Sequence, residues 1–183
     1  MKDIEAAVER LVAIEDIKQL KARYFRTMDQ KNWDEFEKLF TPDVVFDLQE
    51  AIFARDQVTK EVQKSGEILI RPEQIIEKEW LQRGAATVRH WEETILTGVV
   101  TVHQGHMPEI ELTSSTTARG YWTLEHLLRF PRKNANADVW WFPERSKPVE
   151  YHGFGLYDET YEKQNGSWLI KSLKLTHFRV DIV

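Results

Sequence analysis

Cysteine is absent from the 183 residues. This excludes disulfide stapling, a thiol nucleophile, thiolate zinc sites and cysteine-held iron–sulfur clusters, and leaves chemistry to His, carboxylates, Tyr, Ser/Thr, Lys and Arg. Long apolar runs are missing too. None approaches the roughly 18 residues of a membrane helix, and Met1-Lys2-Asp3-Ile4-Glu5 leads into an amphipathic pattern with no apolar signal core, so a cytoplasmic location is expected. With 25 basic residues against 30 acidic and no block of one sign, the chain carries no electrostatic footprint for nucleic acid or an anionic membrane. It has no phosphate-cradling loop, dinucleotide fingerprint or Gly-x-Ser-x-Gly elbow, so no cofactor is implied.

What is present suits one globular domain over residues 1–183 with a substantial core. From Ile4 to Met28 the apolar residues Ile4, Val8, Leu11, Ile14, Ile17, Leu20, Tyr24 and Met28 recur at helical steps, which predicts a long amphipathic helix or two joined end to end. Asn32 caps a short helix carrying Trp33, Phe36 and Phe40, and Val44–Leu48 has strand character. Ile68–Ile70 reads as a short strand, and Pro72 opens a helix running through Trp80 and Leu81. From Val99 onward the period is two. Strands are predicted at Val99–His103, Glu109–Thr113, Thr116–Phe130, Phe154–Lys163 and Trp168–Arg179, the last two joined across Gln164-Asn165-Gly166. Helices followed by long antiparallel strands predict an α+β domain, a curved sheet closed on its concave face by the N-terminal helices. Two stretches, near 49–66 and 131–150, read as insertions, the second bearing Trp140-Trp141-Phe142.

Alternation along Thr116–Phe130 puts Ala118, Gly120, Trp122, Leu124, His126 and Leu128 on one face, so His126 falls on an apolar side. Tyr24 lies on the apolar stripe of the first helix, and Asp29, at the end of that helix, can turn back towards the sheet. Taken singly, each has an ordinary alternative: a packed phenol, a solvated turn residue, a satisfied core imidazole. His103-Gln104-Gly105-His106 is no metal pair, because residues three apart on a strand face opposite ways; no metal is implied and His106 reads as a loop or rim residue. His90, His152 and His177 have no assigned role, His177 being placed either in a pocket wall or at a sheet edge.

Tyr24-Phe25-Arg26-Thr27-Met28-Asp29 through Phe36, then Leu39-Phe40-Thr41-Pro42-Asp43, Val102-His103, Ile110-Glu111-Leu112, Thr117-Ala118-Arg119-Gly120-Tyr121-Trp122 and Gly166-Ser167-Trp168-Leu169-Ile170 together resemble the SnoaL-like group of the nuclear-transport-factor-2-like superfamily. The resemblance implies a cone-shaped α+β barrel, in which the helices pack in the concavity of a strongly curved, mixed, mostly antiparallel sheet around one deep pocket. It is nearest to the branch holding scytalone dehydratase and bile acid 7α-dehydratase. That branch carries a Tyr and an Asp at the end of the first helix, a His on a mid-chain strand and a second polar residue on the next strand; Tyr24, Asp29, His103 and His126 fall in those places. Bile acid 7α-dehydratase has an Asp where His126 stands. Hexachlorocyclohexane dehydrochlorinase is similar in pairing Asp and His at the Asp29 and His103 positions.

The implied roles are His103 as general base, Asp29 as its orienting carboxylate, Tyr24 as a donor to a substrate carbonyl, and His126 as a group protonating or hydrogen-bonding the departing hydroxyl. Phe25, Met28 and Trp122 are the expected substrate-binding residues. The expected activity is a cofactor-independent, dehydratase-like lyase acting on a hydrophobic cyclic or polycyclic carbonyl compound. The alternatives are a ketosteroid-isomerase-like or polyketide-cyclase-like enzyme, and a non-catalytic small-molecule-binding or assembly subunit. The resemblance also implies a homo-oligomer, dimer or trimer.

Overall fold

The structure, a computed structural model, describes residues 2–51, 80–132 and 148–182. The expected strand at Ile68–Ile70, the helix opened by Pro72, the Trp140-Trp141-Phe142 cluster and most of both expected insertions lie outside the described residues.

Helix α1 (Lys2–Asp29) is the long helix predicted from periodicity, but only its second half is a core element. Ala13, Ile17, Leu20, Tyr24 and Met28 are buried at steps of three and four residues, whereas Ile4, Val8, Leu11 and Val12 are exposed. The helix stops in a left-handed cap. Asn32 N–H bonds the Thr27 carbonyl at 2.8 Å and Lys31 N–H bonds that of Met28 at 3.2 Å, with Lys31 at φ 57°. Asn32 then caps α2 (Trp33–Glu37), its side chain accepting from Glu35 N–H at 3.3 Å.

The remaining elements are β1 (Phe40–Asp47), β2 (Leu81–Arg83), α3 (Ala85–Leu96), β3 (Val100–Leu112), β4 (Thr117–Phe130), β5 (Val149–Gln164) and β6 (Ser167–Ile182). They form one six-stranded sheet in the order β2-β1-β6-β5-β4-β3, antiparallel except for the parallel pair β1 and β6. This is an α+β cone with N-terminal helices against a mixed sheet that is not closed, its edges among the described residues being β2 and β3. Among the described residues no helix is long and apolar enough to cross a membrane.

Three local differences from expectation matter. Leu81 opens a strand instead of continuing a helix, because β2 pairs with β1 (Asp47 opposite Leu81, Val45 opposite Arg83) and that pairing overrides the helical spacing. Helix α3 was not anticipated; Val88, Trp91 and Ile95 at helical steps, with Gly84 before and Gly98 after, are the signal. The two strands expected at 99–103 and 109–113 are one strand, β3, whose register against β4 slips between Gly105 and Pro108. That bulge on an edge strand accommodates a proline, which has no N–H to give a ladder.

The alternation of β4 is as predicted: Ala118, Gly120, Trp122, Leu124 and His126 are buried and their neighbours are not. Two further irregularities bend β6 against β5, between Thr160 and Tyr161 and between Phe154 and Gly155. At the second, a β-carbon on Gly155 would lie 2.0 Å from the Thr176 carbonyl oxygen, so only glycine permits the approach. Phe178 is the extra residue of this bulge and is exposed together with Arg179, while His177 and Val180 on either side are buried.

Candidate active site

Asp29 is the last residue of α1, and it faces β3. His103 Nδ1–H donates to Asp29 Oδ1 at 2.6 Å and His103 N–H donates to Oδ2 at 2.9 Å. Thr101, two residues earlier on the same strand face, donates its hydroxyl to Oδ1 at 2.8 Å and accepts from Lys31 Nζ at 2.7 Å. The chain is therefore polarised in one direction, from ammonium to hydroxyl to carboxylate, with the imidazole on the far side. Lys31 reaches Thr101 from a backbone conformation that ordinarily favours glycine, at φ 57°.

Burial pushes the Asp29 carboxyl up, but the hydrogen bonds and charge of His103 and the bond from Thr101 outweigh it and hold the group below its ordinary value. For His103 burial is the larger effect. It drives the imidazole below 6.5 despite Asp29, helped by the positive charges of Lys31 and Lys21. Both shifts favour a neutral imidazole beside a charged carboxylate. Because a carboxylate only accepts, Nδ1 carries the proton and Nε2 keeps its lone pair. Glu92 of α3 is buried near this group, and burial lifts its carboxyl to about 7 against the opposing charge of Lys31.

Phe25, one turn before Asp29, lies nearly parallel to the His103 ring, with centroids 6.4 Å apart and planes 8° apart. A β-carbon on Gly105 would sit 2.5 Å from Phe25 Cε2 and 2.9 Å from Phe25 Cζ, so the glycine makes room for the Phe25 ring. Tyr24 packs one layer away. Its ring contacts Phe25, Phe36, Phe40 and Tyr157 with centroids 5.5–6.2 Å apart, and its hydroxyl hydrogen-bonds that of Tyr157. Burial raises both phenols, so both stay protonated. Met28 is buried in the core cluster. Trp122 is buried with Nε1–H donating to Tyr161 OH at 2.8 Å, which ties its polar edge to the core.

Below these rings is a fully buried ion pair. Lys21 Nζ donates to Glu159 Oε1, and Tyr161 OH donates to Glu159 Oε2. The ammonium also sits 3.5 Å from the Tyr157 ring centroid and 4.1 Å from that of Tyr24. Burial lowers Lys21 to about 8 against the attraction of Glu159. Sequence reasoning missed this pair, although Glu159 at an inward position of β5 is a charge where alternation demands an apolar residue.

His126 is the partner of His103 in the β3–β4 register, the two rings lying edge to face with centroids 5.3 Å apart. On its other side it meets His177 of β6, Nε2 to Nε2 at 3.1 Å. His177, without a role in the sequence reading, is thus buried in the site wall beside Tyr151, whose hydroxyl is 3.3 Å from His177 Nδ1. Asp29, His103, Phe25, His126 and His177 form one contiguous group, with Tyr24 and Tyr157 behind Phe25. Among the described residues no three His, Asp or Glu side chains are grouped to hold a metal. A separate surface groove of about 720 Å³, bordered by Asp34, Glu37, Pro42 and Arg89, shares none of these residues.

The fold recurs among solved structures. A putative scytalone dehydratase from Novosphingobium aromaticivorans superimposes with a TM-score of 0.66 at 18% identity, covering 98% of this chain and 90% of that one. A hexachlorocyclohexane dehydrochlorinase (LinA type 3) from Novosphingobium barchaimii superimposes with a TM-score of 0.64 at 11% identity, covering 97% and 94%. A Mycobacterium tuberculosis protein of unknown function follows at 0.62 and 19%, covering 94% and 76%. These likenesses establish a shared fold. Residues 9–174 match the SnoaL-like domain, and with nearly the whole chain so covered, the protein belongs to the SnoaL-like family.

Proposed function

We propose that the protein is a small-molecule-converting enzyme of lyase type, a cofactor-independent dehydratase in which His103 is the general base. The observation that carries the reading is the 2.6 Å hydrogen bond from His103 Nδ1–H to Asp29 Oδ1 inside an aromatic wall. It leaves Nε2 as a lone pair on a neutral imidazole at neutral pH, the state a base requires. Asp29, anchored also by His103 N–H and Thr101, holds the ring and stabilises the imidazolium that forms when a proton is taken from carbon. Tyr24, with Tyr157 beside it, supplies a protonated phenol to a carbonyl that gains enolate character as the proton leaves. The imidazolium of His103 then returns that proton to the hydroxyl on the adjacent carbon, whose C–O bond breaks as the C=C bond forms, so that water leaves and the base is neutral again.

The aromatic lining suits a hydrophobic cyclic or polycyclic ring better than a sugar or phosphate. Two structural neighbours, a putative scytalone dehydratase and a hexachlorocyclohexane dehydrochlorinase, are named for eliminations of the same logic, which supports this reading. A homo-oligomer belongs to it as well, supported by the exposed Val100, Val102 and Met107 of edge strand β3 and by Ile4, Val8 and Leu11 of α1.

The test is turnover of cyclic and polycyclic β-hydroxy ketones, followed by the rise of conjugated-enone absorbance. Wild type should eliminate water, and His103→Ala should lose roughly 10²- to 10⁴-fold in kcat, the usual contribution of a positioned base. An unchanged rate in His103→Ala would refute the assignment. Rearrangement without loss of water would replace elimination by isomerisation.

A further inference from the structure

The contact between His126 and His177 has a defined proton arrangement. His177 Nδ1 lies against the backbone carbonyl of Ala51, which can only accept, so Nδ1 carries the hydrogen. Burial drives His177 down to about 4, so at neutral pH its Nε2 bears a lone pair. That lone pair faces His126 Nε2 at 3.1 Å, and a hydrogen bond forms only if His126 carries its proton on Nε2. Burial, together with the charges of His177 and His103, also keeps His126 neutral, far below 6.5. Its remaining nitrogen, Nδ1, is therefore an acceptor, and this buried atom has no hydrogen-bond partner among the described residues.

The direction of that nitrogen follows from the sheet. Gly153 is the registered partner of His126 on β5, and a β-carbon there would lie 2.1 Å from His126 Nε2, 2.5 Å from Cδ2 and 2.8 Å from His177 Nε2. The Cδ2–Nε2 edge of His126 thus sits over Gly153. Nδ1 is the ring vertex opposite that edge and points the other way, towards β3 and His103, the base of the proposed elimination. A glycine in mid-strand costs roughly 0.5–1 kcal/mol relative to alanine, and here it is what allows the two imidazoles to meet.

We propose that His177 is a positioning residue which sets the tautomer of His126, so that His126 Nδ1 accepts a hydrogen bond from a hydroxyl group of the bound molecule. The inference rests on the active-site reading above and adds to it a substrate feature: a phenol or alcohol O–H, retained in the product, beside the carbon from which His103 takes its proton. A ligand lacking that donor leaves a buried acceptor unsatisfied, whereas a hydroxyl satisfies it. In this arrangement His126 is an acceptor, not the acid for the departing group.

Imidazole ¹⁵N shifts of the uniformly labelled whole protein at pH 7 test the tautomers directly. The expected result is His177 protonated on Nδ1 and His126 on Nε2. A proton on His126 Nδ1, or an imidazolium, overturns the proposal. Calorimetric binding of 2-naphthol and 2-methoxynaphthalene, similar in ring system but differing in the donor, tests the acceptor. Wild type should bind 2-naphthol about tenfold more tightly, the value of one hydrogen bond of about 1.4 kcal/mol. That preference should vanish in His126→Phe, fall in His177→Leu, and survive in His177→Gln, whose amide oxygen also accepts from Nε2–H. Equal affinities in wild type, no measurable naphthol binding, or an undiminished preference in His177→Leu each overturn it. The shifts need no variant and no substrate, so they stand if a variant fails to fold. Loss of naphthol preference with elimination intact removes only this inference, and loss of elimination with the preference intact removes only the base assignment.

Discussion

Lys31 Nζ lies 2.7 Å from the hydroxyl of Thr101, which in turn donates to Asp29. Lys31 occupies the left-handed position that ends α1, where glycine would avoid a strain of roughly 1 kcal/mol. Lys31→Gly is expected to raise or leave unchanged the urea midpoint while lowering kcat about tenfold, because the strain disappears together with the ammonium. Lys31→Met should also move the acid limb of kcat/KM to higher pH, since the Lys31 charge is one of the influences that lower His103. Lys31→Arg should keep the limb in place. A parallel fall in stability and rate with no shift of the limb would reduce Lys31 to a structural role.

The pH profile of the wild-type enzyme has a definite sign. As the proposed general base, His103 must be neutral to act, and its folded-state value lies below 6.5. The groups facing it are Asp29, which raises it, and Lys31 and Lys21, which lower it, with the neutral His126 alongside. Activity should therefore be level at neutral pH and fall with acid only below 6.5. A limb centred above 6.5 would contradict the electrostatics described here.

Lys21 and Glu159 stabilise the core only as a pair. Lys21→Met leaves the Glu159 carboxylate buried without its ammonium, a loss of about 3–5 kcal/mol. Adding Glu159→Gln should restore much of it, since the amide oxygen still accepts from Tyr161. Urea unfolding of both single variants and the double variant measures the coupling, and additive losses would show that the pair is not the stabilising unit.

Acid should weaken the fold before any carboxylate pair breaks. His126 and His177 have folded-state values below 6.5, so in mildly acid solution the unfolded chain binds protons that the folded chain does not. The contribution of these two histidines is complete above 6.5 and declines as pH falls, for His177 towards about 4. Each uncompensated proton contributes roughly 1.4 kcal/mol per pH unit. Glu92, raised to about 7, acts oppositely, because the folded chain holds its proton where the unfolded chain releases it. Glu92→Gln should therefore steepen the acid-side loss of the unfolding free energy. A shallower slope would reverse the assignment.

The apolar residues exposed on β3 and α1 lead to an expected dimer or trimer in sedimentation experiments. A monomer throughout the micromolar range would remove that part of the reading.

How much of this was legible in the sequence depends on the range over which each signal acts. The inward position of His126, the core stripe of α1 from Ile17 to Met28 and the Asn165-Gly166 turn, with both residues at positive φ, follow from local periodicity and turn chemistry. Those rules act within a few residues, so the chain alone determined them. The same rules misread Leu81, which a pairing with β1 makes a strand residue, and left the helix at residues 85–96 unread. That Tyr24, Asp29, His103 and His126 belong to one site came from resemblance; nothing in their spacing says that they meet.

Only the tertiary structure joined Asp29 to His103 across 74 residues, His126 to His177 across 51 and Lys21 to Glu159 across 138. The physical reason is that strand order and bulges, not spacing along the chain, set which inward side chains become neighbours. β5 contributes glycines at 153 and 155, one making room for two imidazoles and the other for a bend in β6. A glycine carries no pattern of its own. Its meaning appears only when the strands on either side are in register.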